Sequence, residues 1–427
     1  MHTPTLTRRH WLKAGSAATL CGLPALSSFS AGAWAAPAAD DSRFLLVFLR
    51  GAYDATSALV PAGSFYREVR PNIAIQKAVA LNADWGLHPA LQDSLLPLLQ
   101  RGQAAFVPFA GTDISTRSHF ETQDRIEMGQ PDSGPRDTGS GFLNRLAQRL
   151  GSRGPGSGSV ALPMAFSEQL PLSMRGRAEV ANVSLNARSR APDANQQRLV
   201  EAMYRDTALA DRVQRGYAVR DDIQRDAQRE AQREMTASAA YGGMSPEMLA
   251  ASRGAPASGR FATEARRMAR LMKDKHTLAF VDIGGWDTHV NQGADEGALA
   301  TRLQELGNGL AAYAQELGPA LWARSTVLVM SEFGRTLREN GNRGTDHGHG
   351  SVYWVLGGGL QSAGLHTAVR GEQVPVEARH LHQDRDLPVL QNYRDVLAGL
   401  WARQYGLATQ DLDFIFPQAR ALDLRLL

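Results

Sequence analysis

Thiol chemistry is all but missing from this sequence. Its only cysteine, Cys21, lies near the start, so a chain shortened past that point forms no disulfide even in an oxidising compartment. Stability then has to come from a core, and 43% hydrophobic content over 427 residues is enough for one large domain or two modest ones. Long apolar runs are also lacking. The stretch from Ala14 to Leu26 is softened by Gly15, Ser16 and Gly22 and stops short of the roughly 20 apolar residues a bilayer-spanning helix needs. Charge of one sign is absent as well. Setting aside Arg8, Arg9 and Lys13, the remaining basic residues equal the 43 acidic ones, which gives no support to nucleic acid or anionic membrane as a partner. No His-Glu-x-x-His pattern occurs, which removes the commonest metallopeptidase signature.

What the N-terminus does contain is an export signal. Arg8-Arg9-His10-Trp11-Leu12-Lys13 resembles the twin-arginine consensus, the softened apolar stretch follows, and Ala33-Trp34-Ala35 offers small residues for cleavage before Ala36. Leu20 before Cys21 is wrong for lipoprotein processing. Residues 1–35 are therefore expected to be removed, leaving a periplasmic or secreted protein with no membrane span. The twin-arginine route carries folded proteins, so a metal or cofactor acquired in the cytoplasm fits it.

Beyond the signal, apolar runs of strand length alternate with helical patterns. Phe44 to Leu49, Ala104 to Phe109, Thr277 to Ile283, Thr326 to Met330 and Ser351 to Leu356 read as strands, with Pro108 expected to end the second early or place it near an edge. Pro89 to Leu99, Phe261 to Leu271, Leu303 to Leu317 and Val396 to Tyr405 read as helices, Gly151 to Ser159 as a loop. Arg198 to Met235 is rich in charge and poor in large apolar residues, and is expected to be solvated helices within an insertion spanning about 198–255. The alternation predicts an α/β three-layer sandwich with a mainly parallel central sheet, in a single domain over 36–427.

Polar residues collect just after these strands: Asp54 after the first, Arg117-Ser118-His119 after the second, Asp287-Thr288-His289 after the third, Ser331-Glu332 and Arg335 after the fourth, then His347-Gly348-His349. Ligands of open α/β sheets bind beyond the carboxyl ends of the strands, so these segments should converge. Each has a plainer reading too. Asp54 has the position of an Asx-turn residue. Ser118 stands three residues before Glu121, the spacing of a capping box, although a helix N-terminus also attracts anions. Glu332 is either a carboxylate ligand or the partner of Arg335 or Arg338. Asp287, His289 and His347, with His349 as the alternative, have the donor types of a zinc or manganese site. His276, His366, His380 and His382 lack such surroundings and are read as ordinary surface or packing residues.

Taken in order, Arg50-Gly51-Ala52-Tyr53-Asp54, Gly86-Leu87-His88-Pro89, Arg117-Ser118-His119-Phe120, Gly285-Trp286-Asp287-Thr288-His289, Ser331-Glu332-Phe333-Gly334-Arg335-Thr336 and Gly344-Thr345-Asp346-His347-Gly348 resemble a large bacterial family of twin-arginine-exported proteins. That family in turn resembles a branch of the alkaline phosphatase and sulfatase superfamily. The resemblance implies an alkaline-phosphatase-like fold holding one or two divalent ions, with Asp54, Asp287, His289, Glu332 and His347 or His349 as ligands and Ser118 in the nucleophile's place. Phe333 stands where a histidine would complete the second site, which leaves Arg117 or Arg335 to clamp an anion. The function implied is an exported metal-dependent hydrolase of a phosphate ester, ahead of a sulfate ester because no cysteine survives processing for a standard sulfatase. The substrate would be a small anionic ester or an envelope polymer. The alternative is a non-catalytic envelope binding or assembly protein, partnered by another exported protein, with a degenerate site on the same fold.

Overall fold

Phe44 to Leu49 is apolar at every position because it is covered from both sides. The computed structural model describes residues 42–131, 136–152, 162–184, 194–214, 216–218, 244–361 and 364–427, all within the unit Pro37–Leu427. Its strands are β1 (Arg43–Leu49), β2 (Leu59–Pro61), β3 (Val79–Ala80), β4 (Trp85–Leu87), β5 (Ala104–Gly111), β6 (Pro163–Phe166), β7 (Ala181–Asn182), β8 (Leu278–Ile283), β9 (Ser325–Ser331), β10 (Ser351–Leu356) and β11 (Gln391–Asn392). Eight of them form one sheet in the order β11-β5-β10-β9-β1-β8-β6-β7, and β2, β4 and β3 make a small second sheet. In β1 the side chains alternate between two cores. Leu45, Val47 and Leu49 pack with the helices Phe261–Asp274 and Ala298–Leu317, while Phe44, Leu46 and Phe48 pack with Phe142–Gly151 and Tyr393–Tyr405. Period-two alternation with both faces buried is what makes the run continuously hydrophobic. The expected three-layer α/β sandwich is thus present.

Strand β1 pairs in parallel with β8 and β9, and β6 in parallel with β8 and β7. Strand β10 runs against both β9 and β5. That reversal matters for the site, because the residues leading into β10 reach the edge that the other strands reach as they end.

One local expectation needs correcting. Pro89 to Leu99 is not one helix: a 3-10 turn at Pro89–Leu91 is followed by a separate helix at Leu96–Gln100 with Pro97 in its first turn, where the missing N–H is harmless. The apolar spacing was sound, since Leu91, Leu95, Leu98 and Leu99 are all buried. Of the two readings of Pro108 the edge one holds: β5 does not end there but continues to Gly111, and it lies beside the edge strand β11, which pairs with it only at Ala110 and Gly111. The pairing with β10 shifts register between Val107 and Ala110, and Phe109 takes a left-handed φ of 54°, so the proline sits at a bulge, where no ladder N–H is required. Within the expected insertion, Ala194–Tyr204 and Pro246–Ser252 are helical; residues 219–243, most of the Gly151 to Ser159 loop and the whole signal, with Cys21, lie outside the described residues. Among the described residues no helix is long and apolar enough to cross a membrane.

Candidate metal centre

At the carboxyl edge of the sheet the chain leaves β1 through Gly51, whose φ of +113° and tight surroundings only glycine suits. A Cβ there would sit 2.8 Å from the Asp287 backbone nitrogen. This close approach brings the Gly51 N–H onto Glu332 Oε1 at 2.9 Å. Glu332, fully buried at the end of β9, is not among the converging ligand atoms. Its Oε1 also accepts from Gln123 Nε2 at 2.8 Å and from His119 Nδ1 at 2.7 Å, and its Oε2 from Ser331 Oγ at 2.9 Å. Burial would raise its pKa, but His119 and Gln123 hold it below the usual carboxylate range.

His119 is the first residue of the helix His119–Met128, directly after the N-cap Ser118. With Nδ1 donating to Glu332, its Nε2 points the other way, 2.9 Å from His347 Nε2 and 3.5 Å from Asp287 Oδ2. His347, in the lead-in to β10, donates Nδ1–H to the Arg117 carbonyl at 3.0 Å. Its Nε2 lies 3.2 Å from Asp287 Oδ1 and 3.0 Å from His289 Nε2. His289 repeats the pattern, with Nδ1 on Asp346 Oδ1 at 3.2 Å and Nε2 2.9 Å from Asp287 Oδ1. One ligand atom from each of His119, Asp287 and His347 lies within 4.8 Å of the others, and His289 reaches the latter two.

The tautomers follow from the partners. Carboxylates and carbonyls only accept, so each of the three Nδ1 atoms carries a hydrogen, and each Nε2 has a lone pair to offer an ion or, without one, a proton shared with Asp287. Lone pairs of His119, His289 and His347 and a carboxylate of Asp287 face one another at hydrogen-bonding distance, an arrangement that repels itself unless positive charge lies between them. Donors about 2.0–2.1 Å from a tetrahedral zinc are roughly 3.3 Å apart, so the donor set fits a divalent ion in kind and spacing. Burial opposes charge on His119, but Asp287 and Glu332 outweigh it and raise its pKa to about 9. Asp287 is driven far the other way: burial would raise its pKa, but the three histidines and Arg335 depress it strongly. The protein groups by themselves ask for a cation here.

Several expected site residues are placed elsewhere. Asp54 is saturated by protein groups: Arg70 grips both oxygens at 2.6 and 3.0 Å, and Thr56, Ser57 and Gln292 donate at 3.0, 2.8 and 2.7 Å. Its carboxylate therefore lies in a buried ion pair apart from the cluster. Arg335 does not face an anion; its guanidinium is taken by Asp287 at 2.5 Å, Thr345 Oγ1 at 3.1 Å and the Thr345 carbonyl. Arg117 is held by Asp386 at 2.7 Å and by Gln383 at 2.7 Å. His349 stacks on His382 with ring centroids 4.4 Å apart, so His382 is a packing partner, and burial first and His382 second lower the His349 pKa to about 4. Ser118 caps its helix, Oγ accepting from Glu121 N at 3.5 Å. Phe333 stacks on the His119 ring at 5.0 Å. The residue that sequence reading passed over is His119. The signal was there, since capping by Ser118 fixes its neighbour as the first helical residue, facing the sheet edge.

The model of the family described as "Protein of unknown function (DUF1501)" matches residues 41–416. The chain belongs to that family. Curated proteins yield no match to this DUF1501 member. Among solved structures, it is similar to a protein of the alkaline phosphatase superfamily from Vibrio parahaemolyticus, at 12% identity and TM-score 0.38 over 90% of this chain and 71% of that one. It is also similar to a lipoteichoic acid synthase from Listeria monocytogenes, at 10% identity and TM-score 0.40 over 91% and 77%. Scores of this size carry no argument about chemistry, which has to come from the site.

Two expected outcomes follow for this DUF1501 member. Glu332→Gln keeps one acceptor but no longer fixes the His119 tautomer by charge, so divalent-metal affinity should fall about 10–100-fold; competition titration with a chromophoric chelator reads it. Asp54 carries a stability signature. Burial would raise its pKa, but Arg70 and the hydrogen bonds lower it from 3.8 to about 2. A depressed carboxylate contributes stability that is complete above its unfolded pKa and is lost as pH falls through the folded one, here roughly 2 kcal/mol between about pH 4 and pH 2. Urea melts across that window should show wild type losing this increment and Asp54→Asn lacking it.

Proposed function

We propose that this chain is an exported metal-dependent hydrolase acting on a phosphate ester, with His119, His289, His347 and Asp287 holding one divalent ion. The carrying observation is the convergence of three lone-pair-bearing Nε2 atoms and a carboxylate, each imidazole anchored through its other nitrogen. Histidine-rich ligation favours zinc over manganese. The side chains of His289 and His347 are 35% and 27% exposed, so a ligand can enter from solvent on that side. When bound, the ion supplies Lewis-acid charge at the ester. The chain's own groups do the rest. Ser118, beside His119 at the helix N-terminus, is the nucleophile candidate, and the positive end of that helix favours the anion. Among the described residues there is one such cluster, with Phe333 packed on its first histidine, so the reading takes one ion.

The internal pairing of Arg117 and Arg335 favours a second reading, a non-catalytic envelope binding protein, because neither guanidinium is turned to an incoming anion. One assay separates them. Metal-loaded protein is offered aryl phosphate monoesters, diesters and aryl sulfates, with Ser118→Ala and His119→Ala alongside. The hydrolase reading expects phosphoester cleavage that Ser118→Ala reduces by several orders of magnitude. Metal bound without turnover of any ester selects the binding reading. Export is tested separately by finding the mature N-terminus at Ala36 in the periplasmic fraction, lost on replacing Arg8 and Arg9 with lysine.

A further inference from the structure

His347 is held on two sides by arginines, and both arginines are held by one buried carboxylate. Arg117 gives its backbone carbonyl to His347 Nδ1 at 3.0 Å, and Arg385 donates Nη2 to the His347 carbonyl. Asp386, fully buried, accepts from Arg117 Nη2 and Nε at 2.7 and 3.2 Å on Oδ2 and from Arg385 Nε at 3.1 Å on Oδ1. The turn that carries it is closed by its own backbone hydrogen bonds. His382 and Asp386 exchange backbone hydrogen bonds at 2.8 and 3.1 Å, Gln383 and Asp384 between them both take left-handed φ values of 54° and 55°, and the Arg385 carbonyl accepts from Leu337 N at 3.1 Å.

The second observation is a backbone conformation. Arg117 is itself left-handed, with φ of 54°, a conformation uncommon for non-glycine residues. Without it the Arg117 carbonyl, one residue ahead of the Ser118 cap, would not be turned toward His347. Two donors of the guanidinium, Nη2 and Nε, converge on the single oxygen Oδ2 of Asp386 in a charge-assisted contact, and this grip is what ties the Arg117 side chain down.

We infer that Asp386 is a positioning residue for the metal centre: through Arg117 and Arg385 it fixes the orientation and the Nδ1–H tautomer of His347, and thereby keeps the Nε2 lone pair on the ion. It touches neither ion nor substrate. The inference rests on the metal-centre reading and adds a third layer to it, behind the layer that Glu332, Asp346 and the Arg117 carbonyl form. A buried carboxylate joined only to arginines would otherwise be read as an isolated structural ion pair.

The test uses cobalt(II) as probe on the full mature chain, because its ligand-field bands report coordination directly. Asp386→Asn removes the charge and turns one acceptor into a donor facing an arginine. Wild type should bind one cobalt with intense bands of low-coordinate geometry. Asp386→Asn should bind about 10–100-fold more weakly, with shifted or weakened bands, and Asp386→Glu should restore part of both. Arg385→Gln, at a side chain 41% exposed, removes the hold on the His347 carbonyl together with one of the ion pairs of Asp386, leaves the Arg117 contact in place, and serves if Asp386→Asn does not fold; it should alter the bands in the same direction. A merely structural role lowers the melting temperature and leaves affinity and spectrum as in wild type, which overturns the inference while the metal-centre reading stands. Wild type that takes up no cobalt overturns both.

Discussion

His119→Ala should abolish stoichiometric metal binding while the protein still folds, and Ser118→Ala, one residue away, should leave the metal in place. His119 contributes a donor whose Nε2 is 2.9 Å from that of His347, and nothing else in its helix reaches the cluster with a comparable group. Deleting it leaves two imidazoles and a carboxylate and opens the pocket to water, so affinity should drop by more than about 100-fold, beyond the 10–100-fold typical of an outer-shell loss. The side chain is also buried, stacked on Phe333 and bonded to Glu332, so some stability is lost even without metal, while Gly51 and Gln123 still satisfy Glu332. Ser118 supplies one capping hydrogen bond, and its loss costs about 1 kcal/mol. Elemental analysis of the dialysed variants reads the first contrast, and thermal melts in chelator read the second. Ser118→Ala losing the metal as fully as His119→Ala would remove the assignment.

The largest stability loss is expected behind the site. Arg50, buried at the end of β1, pairs with Asp282 at 2.6 Å and Glu127 at 2.9 Å and donates to Gln123 at 2.9 Å. Gln123 in turn donates to Glu332, so the ion pairs continue into the layer that orients His119. Asp282 already shows the strain of burial, its pKa raised because desolvation outweighs Arg50. Arg50→Met removes the cation that pairs with both buried carboxylates, and breaking a buried pair on one side costs about 3–5 kcal/mol. Denaturant midpoints should fall accordingly. Arg379→Ala, at an exposed pair with Glu377 whose side chains are 72% and 49% accessible, should leave the midpoint unchanged. Equal behaviour of the two variants would show that the Arg50 network is not a buried ion cluster.

How much of this was legible in the sequence depended on range. Strands buried on both faces announce themselves as unbroken apolar runs, so β1, β8 and β9 were read close to their bounds. The meeting of Asp287, His289 and His347 followed from their places beside strand ends. What the sequence hid was anything decided by a partner far along the chain. Asp54 looks like a ligand until Arg70 closes on it, and Arg335 looks like an anion clamp until Asp287 claims it. Glu332 has a ligand's position at a strand end, but the helix placed against it by β5 inserts His119 between it and the cluster. Only the antiparallel course of β10 brings His347 to the common edge and turns His349 away to His382. Pro108 was visible as an edge or strand-end signal, but Pro97 was read through as helix interior although its missing N–H suits only the first turn of a new helix.

X-ray absorption on the metal-loaded mature protein tests the central claim most directly. The account predicts one divalent ion per chain, bound by three imidazoles and one carboxylate at about 2.0–2.1 Å, with the multiple-scattering signature of histidine reduced by one ring in His119→Ala when that weakened variant is loaded with excess metal. An ion surrounded by oxygen alone, or a spectrum that His119→Ala leaves unchanged, would contradict it.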